Sequence, residues 1–132
     1  MNTENNQTST DHSNVESMSL SNFNKMLEAT STYMLLDFYA DWCQPCKRME
    51  PILDSLSVDT ELYPNVQFFK VDTEFEQELS EKFRIRSIPA FHLIKTKADK
   101  SYEIVNSFIG SRDAFNFKME ILKSVADYEA KK

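Results

Sequence analysis

Cysteine, histidine, tryptophan and glycine are all scarce in this chain, and no long apolar run occurs. Of 132 residues, two are cysteine, two histidine, one tryptophan and one glycine, Gly110. The longest apolar stretches fall far short of the roughly 20 residues that a membrane-spanning helix needs. Positive charge is the minority sign, with 15 Lys and Arg against 21 Asp and Glu and a net charge of -6. No basic patch interleaved with aromatic residues is found, so binding to a nucleic-acid backbone is not expected. The N-terminus lacks the basic, apolar and small-residue layout of an export signal, and the first basic residue is Lys25, which argues against a transit segment. Together these absences predict an acidic cytoplasmic protein, a monomer that engages neither membrane nor nucleic acid.

A chain of this length holds one sizeable core and is too short for two. Met1 to Asn14 is almost entirely Asn, Thr, Ser, Gln and acid, too polar to fold by itself, so residues 1–14 read as a disordered tail and 15–132 as the domain. Val15–Met18 suits a short edge strand. Leu20, Phe23 and Leu27 recur at helical spacing behind Ser19 and Ser21, either of which can cap. Tyr33–Ala40 is apolar except for Asp37, the pattern of an interior parallel strand covered on both faces. A helix carrying Met49, Ile52, Leu53 and Leu56 follows, with Pro51 inside it, where a bend is expected. Val66–Val71 reads as the next strand, and Phe75, Leu79 and Phe83 predict a helix over 73–83. Phe91–Ile94 and Tyr102–Ile109 read as a hairpin joined by the polar segment 95–101. Ala114, Phe117, Ile121, Val125 and Tyr128 mark a last helix over 113–128. The order β-α-β-α-β-α-β-β-α implies right-handed parallel crossovers, then an antiparallel pair, with helices on both faces of a mixed sheet.

Both cysteines fall in Trp42-Cys43-Gln44-Pro45-Cys46-Lys47, directly behind the apolar strand. A helix start carries unpaired N–H groups and the positive end of the dipole, and both favour a thiolate. Three readings compete. A zinc half-site needs four ligands, and only His12 and His92 remain as strong donors. Two inert cysteines need no flanking Trp and Lys at a strand-to-helix junction. A catalytic dithiol fits both the spacing and the position. In that reading Cys43, before the helix proper, is the more exposed attacking thiolate. Cys46, a turn inside and more buried, resolves the mixed disulfide. Pro45 sits where a missing N–H costs nothing. Trp42 is either core filler or a contact surface, and Lys47 either adds positive charge to the site or is an ordinary solvated residue.

Asp37 is the one charge in its strand. Burial there raises its pKa well above about 4, which equips it to exchange a proton with Cys46. Lys70, on the following strand, is either its partner or an ordinary strand-end lysine. Ile88-Pro89-Ala90 is either a plain strand-start turn or a cis bond that leaves a backbone edge open to a substrate chain.

These segments together resemble thioredoxin. The likeness rests on 35–47, LLDFYADWCQPCK, on Phe69-Lys70-Val71-Asp72, on 85–91, IRSIPAF, and on Gly110, and it covers roughly Val15 to Tyr128. It implies a thioredoxin fold: an α/β domain with a central five-stranded mixed sheet flanked by four helices on both faces. It implies that Cys43 is the nucleophile, Cys46 the resolving cysteine, Asp37 the proton carrier partnered by Lys70, and Pro89 cis. Trp42, Gln44, Pro45, Ile88, Pro89 and Gly110 would line the substrate groove. The implied reaction is reduction of disulfides in protein substrates. The domain would bind no cofactor or metal and would draw electrons from NADPH through a flavin-containing thioredoxin reductase.

The chain departs from the family at Gln44, usually glycine, at Ser87, Ala90 and Tyr39, and in the longer 95–101 loop, which lacks a turn glycine. Two alternatives stand beside the reductase. A disulfide oxidase or isomerase usually carries a histidine between its cysteines, and Gln44-Pro45 has none. A non-enzymatic binding or assembly module would not need a costly buried carboxylate.

Overall fold

Alternation along the strands sets the architecture, because successive side chains leave a strand on opposite faces. A computed structural model describes residues 13–29 and 31–132. Strand β1 is Glu16–Ser17, β2 Tyr33–Tyr39, β3 Val66–Asp72, β4 Ala90–Thr96 and β5 Tyr102–Ile109. The helices are α1 Leu20–Ala29, α2 Gln44–Ser57, α3 Gln77–Lys82 and α4 Ala114–Ala130. The five strands form one sheet in the order β1-β3-β2-β4-β5. β2 pairs in parallel with β3 and antiparallel with β4, and β4 and β5 form the expected hairpin.

Strand β2 is buried along nearly its whole length because both faces are covered. Tyr33 and Leu35 point toward α2 and α4, joining Met49, Leu53, Phe68, Phe91, Phe117 and Ile121 in one core cluster. Met34, Leu36 and Phe38 point the other way and pack with Phe23 of α1 and Leu79 of α3. On the first face Phe117 closes edge-on against Phe91 and Phe108, with ring centroids 5.0 and 5.3 Å apart. Ser19 caps α1, its Oγ accepting the Asn22 N–H at 3.1 Å, and Asp113 caps α4 through the Asn116 N–H at 2.9 Å.

One expectation changes. The helix read over 73–83 begins only at Gln77. The Asp72 carboxylate accepts the N–H of Glu74 at 2.9 Å, and the Asp72 carbonyl accepts that of Glu76 at 2.8 Å, so the chain turns before it coils. Phe75 is left 82 % exposed and belongs to no core, whereas Leu79 and Phe83 are buried as their spacing implied. At the other end, the tail read over 1–14 is described only at Ser13 and Asn14. Both are tied to α2: Ser13 Oγ donates to Asp54 at 2.6 Å, and the Asn14 N–H donates to Ser57 Oγ at 2.8 Å. The rest of that expectation lies outside the described residues. Helix α2 runs through Pro51.

Candidate active site

The dithiol is built by a helix cap. Cys43 is the N-cap of α2 with extended backbone (φ -88°, ψ 107°), and Pro45 falls in the first turn. There the absent N–H is one of the four a helix start cannot use. The Cys46 N–H donates to Cys43 Sγ at 3.2 Å. An N–H aimed at the Cys43 sulfur is a donor suited to negative charge there. The two sulfurs are joined in a disulfide, with their Cα atoms 5.2 Å apart.

One expectation of exposure is not met. Cys43 and Cys46 are 4 % and 3 % exposed, so Cys43 is no more open than Cys46. The bond draws both sulfurs into one small cluster with Ala40, Tyr39 and Ile88. Pro89 closes the same region: the Ile88–Pro89 peptide is cis, and the Pro89 carbonyl accepts the Gly110 N–H at 2.9 Å. Gly110 holds φ +92°, and a Cβ there would meet nothing within 4 Å, so its backbone conformation, not a lack of room, calls for glycine. Trp42 is 66 % exposed and therefore no core filler; its indole N–H donates to Glu74 Oε2 at 2.7 Å, which fixes the ring beside the disulfide. Gln44 is exposed on the same rim.

Asp37 lies beneath the helix. By alternation its side chain shares the α2 face with Leu35, and it is 5 % exposed with Oδ1 buried and without a hydrogen-bond partner. Lys70 is its register neighbour on β3. Both line a cavity of about 290 Å³ together with Ser13, Val15, Glu50, Leu53 and Asp54. The Asp37 carboxyl is pushed up to about 7, raised first by burial and then by the Glu50 carboxylate, with Lys70 opposing both.

His92 faces the opposite side of the sheet, where its ring packs against Phe38 and Phe83 and its Nδ1 meets Ser107 Oγ at 2.8 Å. It cannot complete a zinc site with cysteines that cap α2. His12 lies outside the described residues. Among the described residues no group of three or more His, Cys, Asp or Glu could hold a metal ion. Glu50 and Glu74 are the site residues that the sequence reading missed. Glu50 had a usable signal, because it follows Cys46 by four positions and must share its helix face. Glu74 lies in an irregular turn with no periodicity to mark it.

A cysteine pair closing across the first turn of a helix, with a buried carboxyl under that helix, defines an α/β domain with a redox-capable dithiol. The thioredoxin family model matches residues 14–123. The chain belongs to the thioredoxin family. Among relatives, thioredoxin Y of rice chloroplasts is 37 % identical over 75 residues, 57 % of this chain and 44 % of that protein. A thioredoxin-like protein of Synechocystis is 38 % identical over 74 residues, 56 % of this chain and 69 % of its own length. The first of these is thus matched over less than half of its length. The structure of chloroplastic thioredoxin z superposes with a TM-score of 0.69 at 24 % identity, covering 85 % of this chain and 95 % of that one, which establishes the shared fold.

Proposed function

We propose that the chain is a thiol–disulfide oxidoreductase that reduces disulfides in protein substrates. The observation that carries this reading is the Cys43–Cys46 disulfide at the cap of α2 with Asp37 buried beneath it. In the reduced form Cys43 thiolate attacks a substrate sulfur, forming a mixed disulfide and expelling the other substrate thiol. Cys46 then loses its proton to Asp37 and attacks Cys43 Sγ, which releases the second substrate thiol and closes the ring. The extended substrate segment docks over Trp42, Gln44, Pro45, Ile88, Pro89 and Gly110, with Lys70 steadying the Asp37 charge. Electrons reach the domain from NADPH through a flavin-containing thioredoxin reductase, and the domain itself carries no cofactor. A monomer in a reducing compartment, the cytoplasm, suits a dithiol that must cycle. Among the described residues no helix is long and apolar enough to cross a membrane.

Insulin reduction driven by dithiothreitol tests the reading. The wild type should precipitate insulin well ahead of a Cys43→Ser, Cys46→Ser variant, and equal rates would refute it. A Cys46→Ala variant should hold substrates as mixed disulfides on Cys43, which mass spectrometry would identify.

A further inference from the structure

The Asp37 cavity holds a second carboxylate that the reaction above does not use. Glu50 is on α2, one turn past Cys46, and lines the solvent side of the cavity that reaches Asp37. We infer that Glu50 is a positioning residue for the thiol–disulfide reaction: its carboxylate keeps Asp37 in the protonated form that serves Cys46 as a proton donor. The inference rests on the oxidoreductase reading proposed above.

The step it serves is reduction of the domain's own disulfide. A reductant thiolate attacks Cys43 Sγ and forms a new S–S bond. The Cys43–Cys46 bond breaks, its electron pair leaves on Cys46 Sγ, and that sulfur takes the proton of the Asp37 carboxyl. The resulting carboxylate is reprotonated from water in the cavity. A leaving thiolate is expelled faster when a proton is at hand, so the step depends on how much Asp37 is protonated at working pH.

The groups that face Asp37 come from every element packed against it. Helix α2 supplies Glu50 and Asp54, and the Ser13 hydroxyl already engages Asp54. Strand β3 supplies the Lys70 ammonium. Strand β4 places Phe91, an apolar residue, opposite Asp37, and the segment before β1 adds the uncharged Ser13 and Val15. Tyr39, two residues along β2, is raised by burial first and then by the Asp72, Asp41, Asp37 and Glu50 carboxylates, so it keeps its own proton. Glu50 therefore offsets Lys70: without it, the ammonium would bias Asp37 toward the ionised form, which has no proton to give. The raised pKa of Asp37, with Glu50 among its causes, agrees with this arrangement.

The test is the pH profile of disulfide reduction in the full chain. Oxidised protein is mixed with dithiothreitol from pH 5.5 to 9, the reaction is read by thiol alkylation and mass, and rates are divided by the dithiothreitol thiolate concentration. The wild-type profile should bend downward near pH 7. E50Q should bend about 0.5 pH unit lower, which makes it about threefold slower per thiolate at pH 8. E50D, which restores the charge, should follow the wild type, as should E78Q, a charge lost from α3 away from the cavity. An E50Q profile that superimposes on the wild type, or an equal displacement by E78Q, would overturn the inference while leaving the oxidoreductase reading intact. Insulin reduction no faster than in the double serine variant would overturn both.

Discussion

Replacing Asp37 with Asn removes the ionisation and keeps the shape, so it isolates what the buried carboxyl costs the fold. In the native chain Asp37 titrates at about 7 against an ordinary 3.8. Native Asp37 therefore keeps its proton over an interval in which unfolded Asp37 has lost it. The native state binds more protons there, and stability must fall as pH rises. The stabilising contribution is fully present below the unfolded pKa and is gone once the pH passes about 7. Each pH unit of that gap is worth about 1.4 kcal/mol, so the penalty above pH 7 reaches about 4 kcal/mol. This is a ceiling, because the cavity beside Asp37 admits water and softens the cost of charge.

Urea denaturation of the oxidised protein, followed by far-UV circular dichroism at pH 4.5, 6, 7 and 8.5, measures it. Asp37→Asn should be more stable than the wild type at pH 8.5 by as much as about 4 kcal/mol, and the advantage should shrink steadily toward pH 4.5. The acids held below their ordinary range, Asp59, Asp99, Asp113, Glu103 and Glu129, contribute the opposite slope at lower pH. They are common to both proteins and cancel in the difference. A wild-type-to-variant difference that stays flat within about 0.5 kcal/mol across the interval would refute the assignment of a raised pKa to Asp37.

Phe117 is fully buried between Phe91 and Phe108, so Phe117→Ala should cost about 3–5 kcal/mol in the same urea assay, and a loss under about 1 kcal/mol would mean that this face of the core repacks. Lys100 holds φ +73° in the turn between β4 and β5, so Lys100→Gly should raise stability by about 1 kcal/mol; a decrease would show that the turn gains nothing from relief of the left-handed backbone.

The layered fold was legible because each element states its partner in its pattern. Tyr33–Tyr39 is apolar at odd and even positions alike, and only a strand covered twice can carry that. The spacing of Phe117 and Ile121 marked the inward face of α4 in the same way. Phe75 misled for the converse reason. It continues a four-residue spacing with Leu79 and Phe83, but Asp72 turns the backbone first, and periodicity does not register a side-chain hydrogen bond. The site divided along similar lines. Cys43, Cys46 and Asp37 stood out because each is chemically odd in its setting. Glu50 and Glu74 are ordinary acids on exposed segments, and their meaning comes from the Asp37 cavity and the Trp42 indole, neither of which exists until the sheet closes. The equal burial of the two cysteines was hidden as well, since it follows from the disulfide and from the packing of Tyr39 and Ile88 against it.

The penalty at Asp37 and its proposed role as an acid have one origin. On a strand packed on both faces, most positions are filled by apolar side chains that stabilise the fold. A carboxyl in their place gives up that stabilisation, and burial is the largest cause of its raised pKa. Lys70 on one side counters burial and Glu50 on the other reinforces it, leaving Asp37 near neutrality. A group that donates a proton in one half of the cycle and accepts it in the other works best when both forms are populated at the working pH. If Lys70 dominated, Asp37 would lack a proton to give to Cys46; if burial and Glu50 acted unopposed, it would not accept one. In the proposed mechanism, the opposed charges around a single buried carboxyl therefore suit one residue to both directions of thiol–disulfide exchange.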